Sequence, residues 1–315
     1  LIYGKHSKVS EKTIENIVYL VKKYNYVPNS AARMLSSNTS NIVTVFLPEA
    51  DDENIFRNPH HITMLGAIEN DIRKHGYFLM ISSSITLKDL DKNLHAWPMA
   101  GIIMLAPTPE EVKYMLKYPN LPKVFIDSHS TEKKAAIVGI DDYRGGYLAG
   151  RYLVNCGHKN IGYASYHPDY NDILQNRFNG FSDALKDAGY PLKKENIFLG
   201  LTDYEGGLDV ANQIADNDLP ITAIFATADE MAIGIMEGAK LNGIDVPGQL
   251  SVMGFDNTPI CRYTTPKLTT IEQDIAKKGR LAAKLLFDQI KSGKVSHRTI
   301  NLPVRIVERQ SVVHI

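Results

Sequence analysis

The sequence predicts an α/β protein built from two doubly wound parallel-sheet subdomains, with a short helical segment in front. Three observations carry that prediction. From residue 42 onward, short apolar runs alternate with amphipathic stretches, the βαβα pattern of parallel sheets covered by helices on both faces. About ten main strands can be counted, more than one small sheet usually holds. The first 40 residues break the pattern, with helical periodicity and a local excess of positive charge.

The leading helix is expected over 10–25. Ser10 suits its N-cap, and Ile14, Ile17, Val18, Val21 and Tyr24 form one apolar stripe at helical spacing. Asn25 and Pro28 end it. A second, short helix is expected from Asn29 through Leu35, and residues 36–40 (SSNTS) read as a polar linker. Strand 42–47 opens the larger part. Helix 61–75, strand 77–81, helix 87–95, strand 101–105, helix 109–117 and strand 123–126 follow. After a short strand near 136–140 come helix 143–155, strand 161–164, helix 174–188, strand 196–199 and helix 205–216. Strand 223–226, helix 229–242, strand 251–254, strand 268–271, helix 273–291 and two short strands around 298–307 complete the series. No repeat of 20–50 residues is present.

Lys+Arg and Asp+Glu are both 35 among 315 residues, so overall charge points to no nucleic-acid partner. The distribution does. Residues 1–40 carry Lys5, Lys8, Lys12, Lys22, Lys23 and Arg33 against Glu11 and Glu15, as expected if only this end meets phosphate. A solvated surface helix is the competing reading. Cys156 and Cys261 stand far apart in no metal or redox spacing, which fits reduced thiols in the cytoplasm. No apolar run approaches a membrane span and no signal peptide is evident.

Ligands of open α/β sheets bind outside the carboxyl ends of the strands. Asp127 and Asp256 end two predicted strands, and Ser82, Ser83 and Ser84 follow a third. A carboxylate there can accept from the vicinal hydroxyls of a sugar, although capping a helix or holding a loop is the commoner use of a single Asp. The planar fork of Arg177 suits paired oxygens, against the alternative of a solvated surface Arg. There is no Gly-x-Ser-x-Gly elbow, P-loop or His-Glu-x-x-His, so no enzymatic activity, cofactor or metal is expected. His60-His61 has no evident ligand partner. The glycines of residues 144–150 (RGGYLAG) read as helix-packing positions.

These segments together resemble the lactose-repressor/galactose-repressor (LacI/GalR) family over essentially the whole chain. The most specific match is Pro28-Asn-Ser-Ala-Ala-Arg-Met-Leu35. Asn58-Pro59, Val124-Phe-Ile-Asp127, Arg177-x-x-Gly180-Phe181, Asp229-Glu-Met-Ala-Ile-Gly234 and Ser251-Val-Met-Gly-Phe-Asp256 follow in the family's order, and Pro266-x-Leu-Thr-Thr-Ile271 leads into Gln273. The resemblance implies a periplasmic-binding-protein-like core with an N-subdomain at 41–139 plus 273–303 and a C-subdomain at 140–272 plus 304–315. Effector is expected in the cleft between them, on Asp127, Arg177, Asp256, Gln273, Tyr204, His61 and Ser82. Residues 1–40 correspond to the third headpiece helix and the hinge helix. In the family, hinge helices of a dimer pair in the minor groove, with Leu35 matching the residue that wedges between base pairs. Asn29, Ala32 and Arg33 share that motif.

The helices that read the major groove have no counterpart here, so sequence-specific reading is expected of an intact protein containing them. The implied function is a cytoplasmic, homodimeric, effector-controlled regulator, a repressor by expectation, with operator DNA and a sugar as partners. The family often has Asn where this chain has Ala228, and aromatic residues where it has His60-His61. A sugar phosphate would want cationic groups beyond Arg177, so free sugar is the first expectation. A periplasmic sugar-binding protein of a transporter shares the core fold, but would have no use for the basic segment and its Pro28–Leu35 motif.

Overall fold

The computed structural model describes residues 10–26, 40–48, 56, 58–83, 86–130, 132, 134–167, 172–217, 219–295 and 297–315. The chain divides into two compact units, residues 1–41 and 42–315.

Helix α1 (Glu11–Lys23) belongs to the first unit. The Ser10 side chain accepts from the Thr13 amide, satisfying one of the orphan donors of the first turn. Glu11 at the start and Lys22 and Lys23 at the end complement the helix dipole. Asn25 takes a φ of 46°, a left-handed conformation that Asn tolerates, and the helix stops there. No residue of α1 is buried, and Val18 and Tyr24 of its apolar stripe are exposed. The predicted hinge helix, with Asn29, Ala32, Arg33 and Leu35, lies outside the described residues.

The second unit holds two six-stranded sheets. Its elements run β1 (Ile42–Leu47), α2 (Pro59–Lys74), β2 (Phe78–Ser83), α3 (Leu87–Ala96), β3 (Gly101–Leu105), α4 (Pro109–Met115), β4 (Lys123–Ile126), β5 (Ile137–Ile140) and α5 (Asp142–Asn155). Then come β6 (Ile161–Ser165), α6 (Asp172–Asp187), β7 (Ile197–Leu199), α7 (Tyr204–Asp216), β8 (Ala223–Ala226), α8 (Asp229–Leu241), β9 (Ser251–Asp256) and β10 (Thr269–Glu272). Helix α9 (Ile275–Ser292) and strands β11 (Thr299–Leu302) and β12 (Arg305–Val307) close the chain.

The first sheet is ordered β11-β5-β4-β3-β1-β2 and is parallel throughout. The second is ordered β12-β10-β9-β8-β6-β7, parallel except for the short antiparallel strand β12. The chain passes between the sheets three times: after β5, after β10 and after β11. Strands buried on both faces explain the continuous apolar runs. Val43, Val45, Ile103 and Val124 pack under α2 and α9, while Phe46, Ile102, Met104 and Phe125 pack against α3 and α4. In the second sheet, Ile224 and Val252 face α7 and α8, while Tyr163, Phe225 and Phe255 face α5 and α6. Among the described residues, no helix is long and apolar enough to cross a membrane.

Most predicted elements appear within two residues of their expected ends. Strand β2 runs on through Ser82 and Ser83, because Phe46 and Leu47 of β1 extend the ladder to them. Helix α9 starts two residues late, because Asp274 caps it by accepting from the Lys277 amide.

Candidate functional site

Two tight helix contacts build one wall of the site. A Cβ on Gly146 of α5 would fall 2.0 Å from the Arg177 carbonyl oxygen, and one on Gly180 of α6 would fall 2.0 Å from that of Tyr143. Only glycine permits this approach, so the reading of Gly146 as a packing position holds. The approach brings Arg177 of α6 to Asp142, the first residue of α5. Arg177 Nε donates to Asp142 Oδ1 at 2.8 Å, and Nη1 donates to the Thr227 carbonyl beyond β8 at 3.0 Å. The guanidinium lies over the Phe255 ring, 3.7 Å from its centroid, in cation–π geometry. Arg177 is buried, not solvated.

Asp142 also meets His129 Nε2 at 3.0 Å, from the loop after β4. Burial by itself would raise the Asp142 carboxyl, but Arg177 and His129 outweigh it, and its pKa ends below the ordinary value. The same hydrogen bond is the main cause that raises the His129 imidazole.

The crossover after β10 supplies the other wall. Register pairs Glu272 with Asp256, which sets Gln273 beside the end of β9. Gln273 Nε2 donates to Asp256 Oδ1 at 2.5 Å. In the first turn of α9, Lys278 Nζ donates to Gln273 Oε1 at 2.5 Å and to Asp127 Oδ1 and Oδ2 at 2.8 and 2.5 Å. A continuous polar chain, Asp127–Lys278–Gln273–Asp256, therefore links the carboxyl ends of β4 in the first sheet and β9 in the second. Asp127 has φ 54° and Asp256 φ 117°, positions L-residues rarely adopt. Such strain concentrates at functional sites. Burial first, and then the nearby Asp229 carboxylate, push Asp256 up to about 7.

Asn58 caps α2 by accepting from the amides of His60 and His61 at 2.9 and 3.3 Å. The two rings meet edge to face, 5.7 Å apart. His60 is held neutral, well below the usual histidine value, first by burial and then by the charges of Lys278, His61 and Arg177. The Gln273 side chain hydrogen-bonds to this imidazole and works in the opposite sense, and Nε2 is shielded from solvent.

Asp127, Arg177, Asp256 and Gln273 thus come together, with His61 one ring away. Two expected residues do not join them. Ser82 Oγ accepts from Asn93 Nδ2 of α3 at 3.3 Å, on the edge strand. Tyr204 opens α7 and lines a separate concavity of about 600 Å³ with Ile233, Met236, Lys240 and Thr264. Ala228 is the N-cap of α8 and makes no side-chain capping bond.

Sequence reasoning missed Lys278, Asp142, His129 and His60. For Lys278 a signal existed. It falls on the inward stripe of α9 with Ile275, Ala282, Leu285 and Leu286, where a lysine is out of place. Among the described residues, no group of three His, Cys, Asp or Glu side chains could hold a metal.

Comparison with known proteins fits this geometry. Residues 151–312 match the periplasmic binding protein-like domain family. The chain is 32% identical to the HTH-type transcriptional repressor PurR of Photorhabdus laumondii subsp. laumondii, over 99% of this chain and 92% of the relative. A LacI family transcriptional regulator from Enterococcus faecium, solved with bound ribose, matches with a TM-score of 0.75 at 28% identity, covering 86% of this chain and 99% of that one. The lac repressor dimer bound to operator and the anti-inducer ONPF shares the fold, with a TM-score of 0.84 at 23% identity over 98% and 92% of the two chains. The fold, the bridged strand ends and these relatives define a DNA-binding transcriptional regulator controlled by a small-molecule effector. The chain belongs to the LacI/GalR family. The relatives reported are regulators of transcription, not enzymes or transport proteins.

Proposed function

We propose that this chain senses a sugar in the cleft between its two sheets and passes that signal to operator DNA as part of a cytoplasmic, homodimeric repressor. The observation that carries the reading is the polar chain from Asp127 to Asp256, with Arg177 buried beside it. Hydroxyl groups entering there would meet two carboxyls, an amide and a guanidinium, the donors and acceptors that sugar recognition needs. The ribose bound to the Enterococcus faecium relative supports a sugar as the class of ligand. The first lobe would comprise 41–139 plus 273–303 and the second 140–272 plus 304–315, with Asn29, Ala32, Arg33 and Leu35 on the DNA side.

The mechanism is a two-state switch. An effector whose contacts differ between open and closed clefts shifts their populations, and the shift cannot exceed the difference in its affinity for the two. Rearranged lobes in a dimer would change the spacing of the two hinge segments, and with it the fit to two half-sites. Tyr204, Leu241 and Tyr263 are exposed on or beside the outer concavity, an apolar surface suited to a dimer contact.

A thermal-shift screen of mono- and disaccharides, sugar phosphates and purines tests the ligand class, since specific binding raises apparent stability. A gel shift with operator DNA, with and without effector, tests the coupling. Asp256→Ala should abolish the response to effector while leaving operator affinity within about threefold of wild type. An Asp256→Ala protein that still responds at the same effector concentration removes Asp256 from the site.

A further inference from the structure

Asp141 and Asp142 stand side by side at the start of α5, and the helix needs only the first. Asp141 caps it by accepting from the Arg144 amide at 2.8 Å. The Asp142 side chain turns inward and is 1% exposed. Burying a carboxylate is costly unless it is paired, so this one is informative. Its two oxygens are divided. Oδ1 accepts from Arg177 Nε at 2.8 Å, and Oδ2 meets His129 Nε2 at 3.0 Å. An ionised carboxylate accepts and cannot donate, so His129 Nε2 carries the hydrogen.

Arg177 is held on three sides by the second lobe of the proposed division. Phe255 covers one face of the guanidinium, the Thr227 carbonyl takes Nη1 and Asp142 takes Nε. The Thr227 hydroxyl is itself tied to Ser165 Oγ at 3.0 Å. His129 comes from the other lobe, on the loop between β4 and β5, close after Asp127. The network His129–Asp142–Arg177 is therefore a second bridge between the lobes, besides Asp127–Lys278–Gln273–Asp256. Like the first, it ends on a proposed effector contact. Its outer end is open to solvent, since the His129 side chain is 27% exposed.

We propose that His129 and Asp142 are positioning residues, which aim the Arg177 guanidinium at the effector and make that aim depend on the first lobe. The inference rests on the cleft reading above and deepens it. Charge-assisted hydrogen bonds are roughly twice as strong as neutral ones, so a protonated His129 grips Asp142 more firmly. Asp142 raises the imidazole in turn, chiefly through that hydrogen bond, and the charges of Asp172 and Asp127 add to it. Glu110 and Lys113 of α4 and Glu132 of the loop line the same concavity as the ring. A ligand that needs Arg177 in this place also favours the gripped form, and the linkage is reciprocal. The His129 contribution to effector affinity is therefore full in acid and falls as pH rises through the raised imidazole value.

The test is titration calorimetry on the full chain with ribose, glucose, galactose and cellobiose, at about pH 6 and about pH 8. His129→Ala leaves Asp142 paired with Arg177, so the fold should stand, and circular dichroism checks it. For a sugar that binds wild type, His129→Ala should weaken affinity about tenfold at the lower pH. His129→Gln keeps a donor without the charge and should bring that loss back to about threefold. Asp256 titrates in the same range. The decisive quantity is therefore the pH dependence of wild type relative to His129→Gln, with wild type losing about threefold more affinity toward the higher pH. A sugar that binds wild type and both variants equally, with one pH profile for all three, overturns the positioning role and leaves the cleft reading standing. Binding of none of these sugars overturns the cleft reading and this inference with it.

Discussion

Asp127 follows β4 in the first sheet, and Asp256 ends β9 in the second. Both sit at the carboxyl end of a buried parallel strand, both have positive φ, and both face the same crossover. Their electrostatic surroundings differ. Asp127 holds Lys278 through both oxygens. Asp256 accepts from a neutral amide, lies near a second buried carboxylate, Asp229, and is pushed up to about 7. Equivalent places in the two halves of one fold thus carry different chemistry, set by what the neighbouring helices project toward them. Asp229 has partners of its own: the Thr258 amide at 2.7 Å and the Thr258 and Thr270 hydroxyls at 2.9 and 2.6 Å.

The contrast can be broken by removing each charge in turn. Asp127→Asn takes away the counter-ion of a buried ammonium and should cost about 2–4 kcal/mol, read as a lower urea midpoint. The cost falls toward the low end because the Asp127 side chain is 12% exposed. Asp256→Asn keeps the shape and removes a charge the fold already disfavours, so it should cost less than about 1 kcal/mol at pH 7. Equal losses would mean that the two carboxyls are electrostatically alike.

A pH series sharpens the same comparison. The unfolded chain ionises Asp256 near the ordinary value of about 3.9, whereas the folded protein keeps the proton up to about 7. Between those values the native state binds the extra proton, so the Asp256 contribution to stability falls as pH rises through the window. Asp142, lowered in the fold, works in the opposite sense, and its contribution is lost in acid. Unfolding free energies of wild type and Asp256→Asn between pH 4 and 7 should show a downward slope that the variant flattens.

The smallest expected effect concerns Ala228. It occupies an N-cap without a capping side chain, so Ala228→Asn should stabilise the protein by about 1 kcal/mol, seen as a higher Tm.

Order and type of elements were legible because two-sided burial writes apolar runs into strands such as Val43–Leu47 and Val252–Phe255. Asp127 and Asp256 were legible because each directly follows such a run. The network around them was less so. Asp142 is the first residue of α5, and nothing in its neighbourhood announces that close packing at Gly146 and Gly180 will bring Arg177 to it from 35 residues away. His129 joins the site through its hydrogen bond to Asp142 and through the charge of Asp127, neither of which its place in the sequence announces. Tyr204 shows the converse. An aromatic side chain at a helix start suits a sugar face, yet helix rotation turns it toward Ile233 and Met236 of α8. The antiparallel pairing of β12 with β10 was not visible in runs this short.

The most direct test of the cleft is the affinity of its strongest ligand for two variants, measured by titration calorimetry. Asp256→Ala removes a carboxyl from the bridged strand ends and should weaken binding by tenfold or more. Tyr204→Ala alters the outer concavity and should leave affinity within about threefold. The opposite order, with Tyr204→Ala losing the ligand and Asp256→Ala retaining it, would contradict the assignment of the effector to the space between the two sheets.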